Sequence, residues 1–381
     1  MRAAVVACAL VAAATTSARA EDVAAHAARL VKSSVIVDTH EDVPWELREK
    51  WADLAVAGAT KHVDLPRLRA GGVGAVFFAV FTPGELADKG QAAHVAFELS
   101  DLVDRVVAAH PRDFVAATSV AEIRAARKSG RIGILKGIEG GHAIEDSLAL
   151  LRDFYRLGVR YMTLTHTNTN NWADSLGNFT EPNYDPAKWR KHGGLTAFGK
   201  EVVAEMNRLG IAVDVSHVSP DTLRDVLAVG KAPPFASHSS CRALTDNPRN
   251  LTDEQISAIA KAGGVVMINA SSSFLDADGL AAARKKPQAE YHTTLARYVD
   301  HLEHALKLAP GAVGLGTDFD GIDDPPRDFA DVSYFPKLAE ELLRRGHSDA
   351  EVRGVLGENF LAYLSRVERA TSAPLEQRTT R

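Results

Sequence analysis

VIVDTHEDVP (residues 35–44) runs three branched apolar residues, Val35, Ile36 and Val37, straight into Asp38, His40, Glu41 and Asp42. A segment suited to burial becomes charged within one strand length, and the same rhythm recurs along the chain. Apolar, β-branched runs stand at 75–81 (AVFFAVF), 132–139 (IGILKGIE), 161–166 (YMTLTH), 212–217 (AVDVSH), 234–239 (PFASHS), 264–271 (GVVMINAS) and 311–318 (GAVGLGTD). Helical patterns lie between most of them, such as 147–158, 195–210 and 251–264. In the last, Thr252 is placed as an N-cap with Gln255 three residues on, and Gly263-Gly264 suit a helix stop. Strands alternating with helices predict a parallel sheet. Near-continuous apolar strands are what a sheet covered on both faces requires. Eight such runs favour an α/β fold of the closed (β/α)8 TIM-barrel type. An open doubly wound sheet usually carries a glycine-rich phosphate loop after its first strand, and HEDVPWELR stands there instead.

In a (β/α)8 barrel the active site gathers at the C-terminal mouths of the strands. The first run ends in His40 and Asp42, the third in Glu139, the fourth in His166, the fifth in His217, the sixth in His238 and the eighth in Asp318. One histidine at a strand end is more often a cap or a satisfied core group than a ligand, and one acid there is usually a turn former. Six strands ending this way place the polar groups in one shared cavity. His142, His192, His292, His301, His304 and His347 fall in loops or helical patterns and read as structural. His40-x-Asp42 directs two side chains to the same side of an extended chain. Imidazoles and carboxylates suit zinc or a similar divalent ion. Two adjacent cations need an anionic bridge, which Glu139 can supply, and a hydroxide held between them would be the nucleophile. Lys136 lies three residues before Glu139, on the opposite pleat face, and reads as structural.

Composition bounds the alternatives. With 46% hydrophobic and 24% charged residues the chain has a globular make-up and enough length for a large core. Residues 1–20 carry Arg2, an apolar run and small residues ending in Ala18-Arg19-Ala20, the pattern of a secretory signal peptide cut after Ala20. The mature domain would run over 21–381, with a polar tail from about residue 368. Losing Arg2 and Arg19 moves the net charge from −5 to −7, which makes nucleic acid a poor partner. Cys241 is the one cysteine left, which excludes an internal disulfide and a cysteine-based zinc site. No other segment reads as transmembrane. The loop 172–194 is long and turn-rich, a candidate lid or rim.

The motifs VDTHEDVP, DLPRLRAGGVGAVFFAVF, KGIEGGHAIEDSLALLRDFYRLGVRYMTLTH, DVSHVS, SHSSCRALTDNPRN, VGLGTDFDG and LAEELLRRGHSDAEVRGVLGENFL follow one another between about residues 33 and 367. Together they resemble the membrane (renal) dipeptidase family of the amidohydrolase superfamily, in a form that looks like an exported bacterial member. The resemblance implies a binuclear zinc dipeptidase with two Zn²⁺ per chain. It implies His40 and Asp42 on one metal, His217 and His238 on the other, and Glu139 bridging. It also implies that His166 polarises the scissile carbonyl, that Asp318 moves protons beside the bridging hydroxide, and that Arg249 binds the substrate's C-terminal carboxylate. Substrates would be free dipeptides, D-residues being tolerated at the C-terminal position, and the resemblance allows a homodimer. Thr39 and Glu41 stand where the family often has Gly and Asn, and loop 172–194 departs from the family pattern. Rival readings are another hydrolase on the same scaffold (an N-acyl amino acid hydrolase, a lactonase or a deaminase) and a non-catalytic exported binding protein.

Overall fold

The computed structural model describes residues 22–181, 183–285 and 289–371. Residues 1–21, which include the stretch 1–20 read as a signal peptide, and the chain beyond residue 371 lie outside the described residues. Among the described residues nine parallel strands form: β1 (Ile36–Glu41), β2 (Val73–Phe81), β3 (Phe114–Ala116), β4 (Ile132–Glu139), β5 (Val159–Thr163), β6 (Ala212–Asp214), β7 (Phe235–Ala236), β8 (Val265–Ile268) and β9 (Val313–Leu315). Pairing runs β1-β2-β4-β5-β6-β7-β8-β9 and returns from β9 to β1, so eight strands close a barrel. β3 is the strand the sequence pattern lacks, because three residues are too few to show a period. It pairs with Ile132–Ile134 of β4, and β5 takes over that edge from Lys136 onward.

The regular strands are shorter than the apolar runs. β5, β6, β7 and β9 end at Thr163, Asp214, Ala236 and Leu315, so His166, His217, His238 and Asp318 stand two or three residues beyond the ends of their strands. Main-chain bonds continue at the barrel mouth, as from the Asp318 amide to the His40 carbonyl at 3.0 Å, and side-chain hydrogen bonds join them there, as from the Ser237 amide to Asp214 Oδ1 at 2.9 Å. His217 and Asp318 have φ of 67° and 65°, left-handed conformations that cost a residue bearing a Cβ and that turn the chain sharply.

The helices follow their end signals. Asp253–Lys261 starts at a capping box between Thr252 and Gln255. Ala197–Leu209 starts at Thr196 and stops at Gly210 in the left-handed region. Inside the barrel, Phe77, Tyr161 and Phe235 pack in series, tilted and then edge to face, with ring centroids 5.1 and 5.4 Å apart. Phe360, from the final helix Asn359–Ala370, packs on Phe77 and Phe235. That helix takes in the first residues assigned to the polar tail. A Cβ at Gly137 would lie 2.0 Å from the Tyr161 ring, so glycine there is what lets the tyrosine cross the interior. Lys136 faces outward and bonds Asp104, Ser100 and the Leu157 carbonyl, a structural role. No helix among the described residues is long and apolar enough to cross a membrane.

Candidate active site

β4 delivers Glu139 to the barrel mouth, and four imidazoles surround its Oε1. The Nε2 atoms of His217, His238, His40 and His166 lie at 3.2, 3.5, 3.6 and 3.9 Å. Asp42 Oδ2 lies 3.5 Å from His40 Nε2, although Asp42 has left the strand and sits at the start of helix Val43–Glu49. Asp318 Oδ1 is 3.8 Å from the same nitrogen. Three sets of donor atoms converge closely enough to hold a metal ion: His40/Glu139/His238, Glu139/His166/His217 and His40/Asp42/Asp318. Residues from six strand ends therefore meet at one point of the barrel mouth. The sets add His166 and Asp318 to the ligand-like donors, beyond the substrate-side roles read from the resemblance.

The donors suit a cation. His40 Nε2 is buried without a hydrogen-bond partner. The Nε2 atoms of His217 and His238 face each other at 2.9 Å. Ser237 donates to Asp214 at 2.6 Å, so its oxygen accepts from His238 Nδ1–H at 2.7 Å. That bond leaves the His238 Nε2 lone pair aimed inward, the usual support behind a metal-binding histidine. Asp214 is itself held by the Ser216 and Ser237 amides and the Thr163 hydroxyl. Asn269 donates to Asp318 Oδ2 at 2.8 Å. A Cβ at Gly321 would meet Asp42 Oδ2 at 2.3 Å and Asp318 Oδ1 at 2.8 Å, so glycine leaves these carboxylates their space.

Burial and charge set the protonation states. Burial works to raise the Glu139 carboxyl, but His40, His166 and His217 together outweigh it and hold the group well below the usual range. Burial lowers His217 and His238 far below an ordinary imidazole and takes His166 down to about 4, keeping all three neutral. Burial also works against a charged His40, but Tyr161, Glu139 and Asp42 overcome it and push this ring well up. Asp318 is raised well above a normal carboxyl, by burial first and then by Asp42 and Glu139. A dense set of acids and imidazoles with opposed shifts is the signature of a reactive site.

The site opens into a cavity of about 470 Å³. Arg249 reaches it from the segment after β7, only 3% exposed, with Nε unpartnered. Its terminal nitrogens make long bonds to Ser239 Oγ (3.3 Å) and the His238 carbonyl (3.4 Å), and no carboxylate among the described residues pairs with it. Burial lowers the guanidinium to about 10, which leaves it cationic at neutral pH. Loop 172–194 forms part of the rim, with Gly177, Phe179 and Thr180 lining the cavity. Asp174 ties the loop down by accepting the amides of Lys191, His192, Gly193 and Gly194. Of the histidines read as structural, His142, His192, His292 and His301 bond main-chain carbonyls, and His304 and His347 pair with acids. Sequence reasoning missed Tyr161, Asp214, Ser237, Asn269, Phe179 and Phe274.

A TIM barrel carrying this donor set at its strand ends defines a metal-dependent hydrolase. The chain belongs to the membrane dipeptidase family (peptidase family M19), whose model matches residues 24–378. Rat Dipeptidase 3 is 36% identical over 353 residues, covering 91% of this chain and 68% of the rat protein. Two solved structures are similar across most of their length. One is the dipeptidase AC, a metallopeptidase, with 28% identity, a TM-score of 0.76 and coverage of 88% of this chain and 98% of that one. The other is a Rhodobacter sphaeroides metallopeptidase liganded with a phosphinate mimic of the dipeptide L-Ala-D-Ala, with 27% identity, a TM-score of 0.77 and coverage of 88% and 100%. The protein is a metal-dependent dipeptidase.

Proposed function

We propose that the enzyme hydrolyses the peptide bond of free dipeptides with two zinc ions, held by His40 and Asp42 on one side, by His217 and His238 on the other, and shared through Glu139. The observation that carries this reading is the single Glu139 oxygen ringed by four imidazole nitrogens within 3.9 Å. When bound, such a pair supplies Lewis acidity toward the scissile carbonyl and lowers the pKa of a water toward neutrality.

This chain's own residues do the rest. Arg249 takes the substrate's α-carboxylate, since a buried guanidinium without an acid partner needs an anion and its planar fork matches a carboxylate. Arg249 thereby fixes the scissile bond over Glu139. Neutral His166 donates from Nε2 to the carbonyl oxygen as charge develops there. Asp318 accepts the proton of the attacking water and delivers it to the leaving amine, a task suited to a carboxyl that burial and the neighbouring acids raise above its ordinary range. The phosphinate mimic of L-Ala-D-Ala in the Rhodobacter relative supports tolerance of a D-residue at the C-terminal position. Residues 1–20 are read as an export signal, which places the enzyme outside the cytoplasm, and a homodimer is compatible with the family.

The test is a panel of L-Xaa-L-Xaa and L-Xaa-D-Xaa dipeptides with N-acetyl amino acids and lactones, assayed after zinc loading. Turnover confined to dipeptides supports the reading. Turnover of N-acyl substrates or lactones in preference to every dipeptide overturns it.

A further inference from the structure

We propose that Phe179 and Phe274 form the subsite for the side chain of the substrate's C-terminal residue and make the enzyme select apolar over acidic residues there. This deepens the dipeptidase reading and rests on Arg249 as the carboxylate anchor.

The Arg249 guanidinium carbon lies 5.4 Å from the Phe274 ring centroid, a cation–π arrangement that seats the arginine against this ring. Phe179 meets Phe274 at 5.7 Å with an interplanar angle of 89°, edge to face. Both rings line the cavity beside Gly177, Thr180 and Ala283, none of which carries a charge. In a bound dipeptide, one Cα–C bond of about 1.5 Å separates the carboxylate from the carbon that bears the C-terminal side chain. A carboxylate seated on Arg249 therefore puts that carbon next to the aromatic corner. Two arginines also adjoin this corner, but Arg249 is taken by the substrate carboxylate and Arg284, which donates to the Phe179 carbonyl, is not among the residues that line the cavity; the lining charge beside Phe274 is Asp324, whose Oδ2 accepts the Ser273 amide at 2.9 Å. An acidic side chain would meet an uncharged wall and a carboxylate, whereas an apolar one would bury against two rings.

Phe179 belongs to the rim loop 172–194, which lines the cavity through Gly177, Phe179 and Thr180. The loop is positioned to hold the ring. Its backbone is tied to Asp174, Tyr184 Oη donates to the Leu176 carbonyl at 2.6 Å, and Arg284 donates to the Phe179 carbonyl at 3.3 Å.

The experiment measures kcat and KM separately for Ala-Gly, Ala-Leu, Ala-Phe and Ala-Asp, with both enantiomers of the C-terminal residue, on the zinc-loaded full chain. Ala-Leu and Ala-Phe should exceed Ala-Asp about tenfold or more in kcat/KM. Phe179→Ala should lower the Ala-Leu to Ala-Gly ratio about tenfold, through KM. Phe179→Leu, a milder change, should lower the Ala-Phe to Ala-Gly ratio by less and guards against simple loss of fold. Trp51→Ala, exposed and outside the cavity, should leave the ratios at wild-type values. A wild type that prefers Ala-Asp, or Phe179 variants whose ratios do not move, would overturn the subsite while leaving the dipeptidase reading intact. A wild type inactive on all four dipeptides would overturn both.

Discussion

His40 Nδ1 stands 2.7 Å from the hydroxyl of Tyr161, a residue that crosses the barrel interior over Gly137. The bond fixes the imidazole from behind and leaves Nε2 facing Glu139, Asp42 and Asp318. Partners of this kind tune ligand orientation and typically matter about 10- to 100-fold in metal affinity. Tyr161→Phe keeps the ring packing with Phe77 and Phe235 and removes only the hydroxyl. Its zinc affinity, measured by competition with a chelator, is expected to fall about tenfold. Wild-type affinity would show that the hydroxyl does not support the ligand.

Glu139→Gln preserves shape and removes the negative charge at the centre of four imidazoles. Neutral glutamine cannot offset two adjacent cations, so bound metal should drop below two per chain and turnover should fall by about a hundredfold or more. Elemental analysis of the purified variant beside its kinetics checks this. Full metal content with unchanged turnover refutes the bridge assignment.

Arg249→Lys replaces a planar fork with a point charge. The loss of one charge-assisted hydrogen bond corresponds to about 1.5–3 kcal/mol, or roughly 10- to 100-fold in kcat/KM. The loss should be much smaller for the corresponding dipeptide amides, which lack the carboxylate. Equal losses for acids and amides would assign Arg249 a structural role.

His301 supplies a pH-linked stability effect away from the site. Its ring accepts the Cys241 amide at 3.1 Å and donates to the Leu275 carbonyl at 3.1 Å, so it is neutral when folded, and burial lowers it to about 4. An unfolded histidine titrates near 6.5. Between these values the unfolded chain binds more protons, so stability is fully present above pH 6.5 and is lost as pH falls toward 4. At pH 5 the loss from this residue is about 2 kcal/mol. Denaturant unfolding at pH 7 and pH 5 should show a smaller pH difference in His301→Gln than in the wild type. Identical differences would contradict the assignment.

The barrel was legible because each strand had to be apolar on both faces, and the site was legible because His40, Glu139, His217, His238 and Asp318 interrupt or end those apolar runs. The supporting residues were hidden by the same logic. Tyr161 sits inside a strand and reads as one more core aromatic. Ser237 and Asp214 look like ordinary turn formers until the fold sets their side chains 2.6 Å apart. Phe179 lies in a loop whose course depends on Asp174 gathering amides from residues 17 to 20 positions away, a long-range bond with no periodic signature. β3 escaped notice because its pairing with β4, and not its own composition, makes it a strand.

The most direct test is metal titration. The chelated chain is reloaded stepwise with zinc while metal content and dipeptide turnover are followed on the same samples. Turnover should be absent in the metal-free chain and rise to its plateau as occupancy approaches two ions. Full turnover without metal, or a plateau reached with no ion retained by the wild type, would contradict the account.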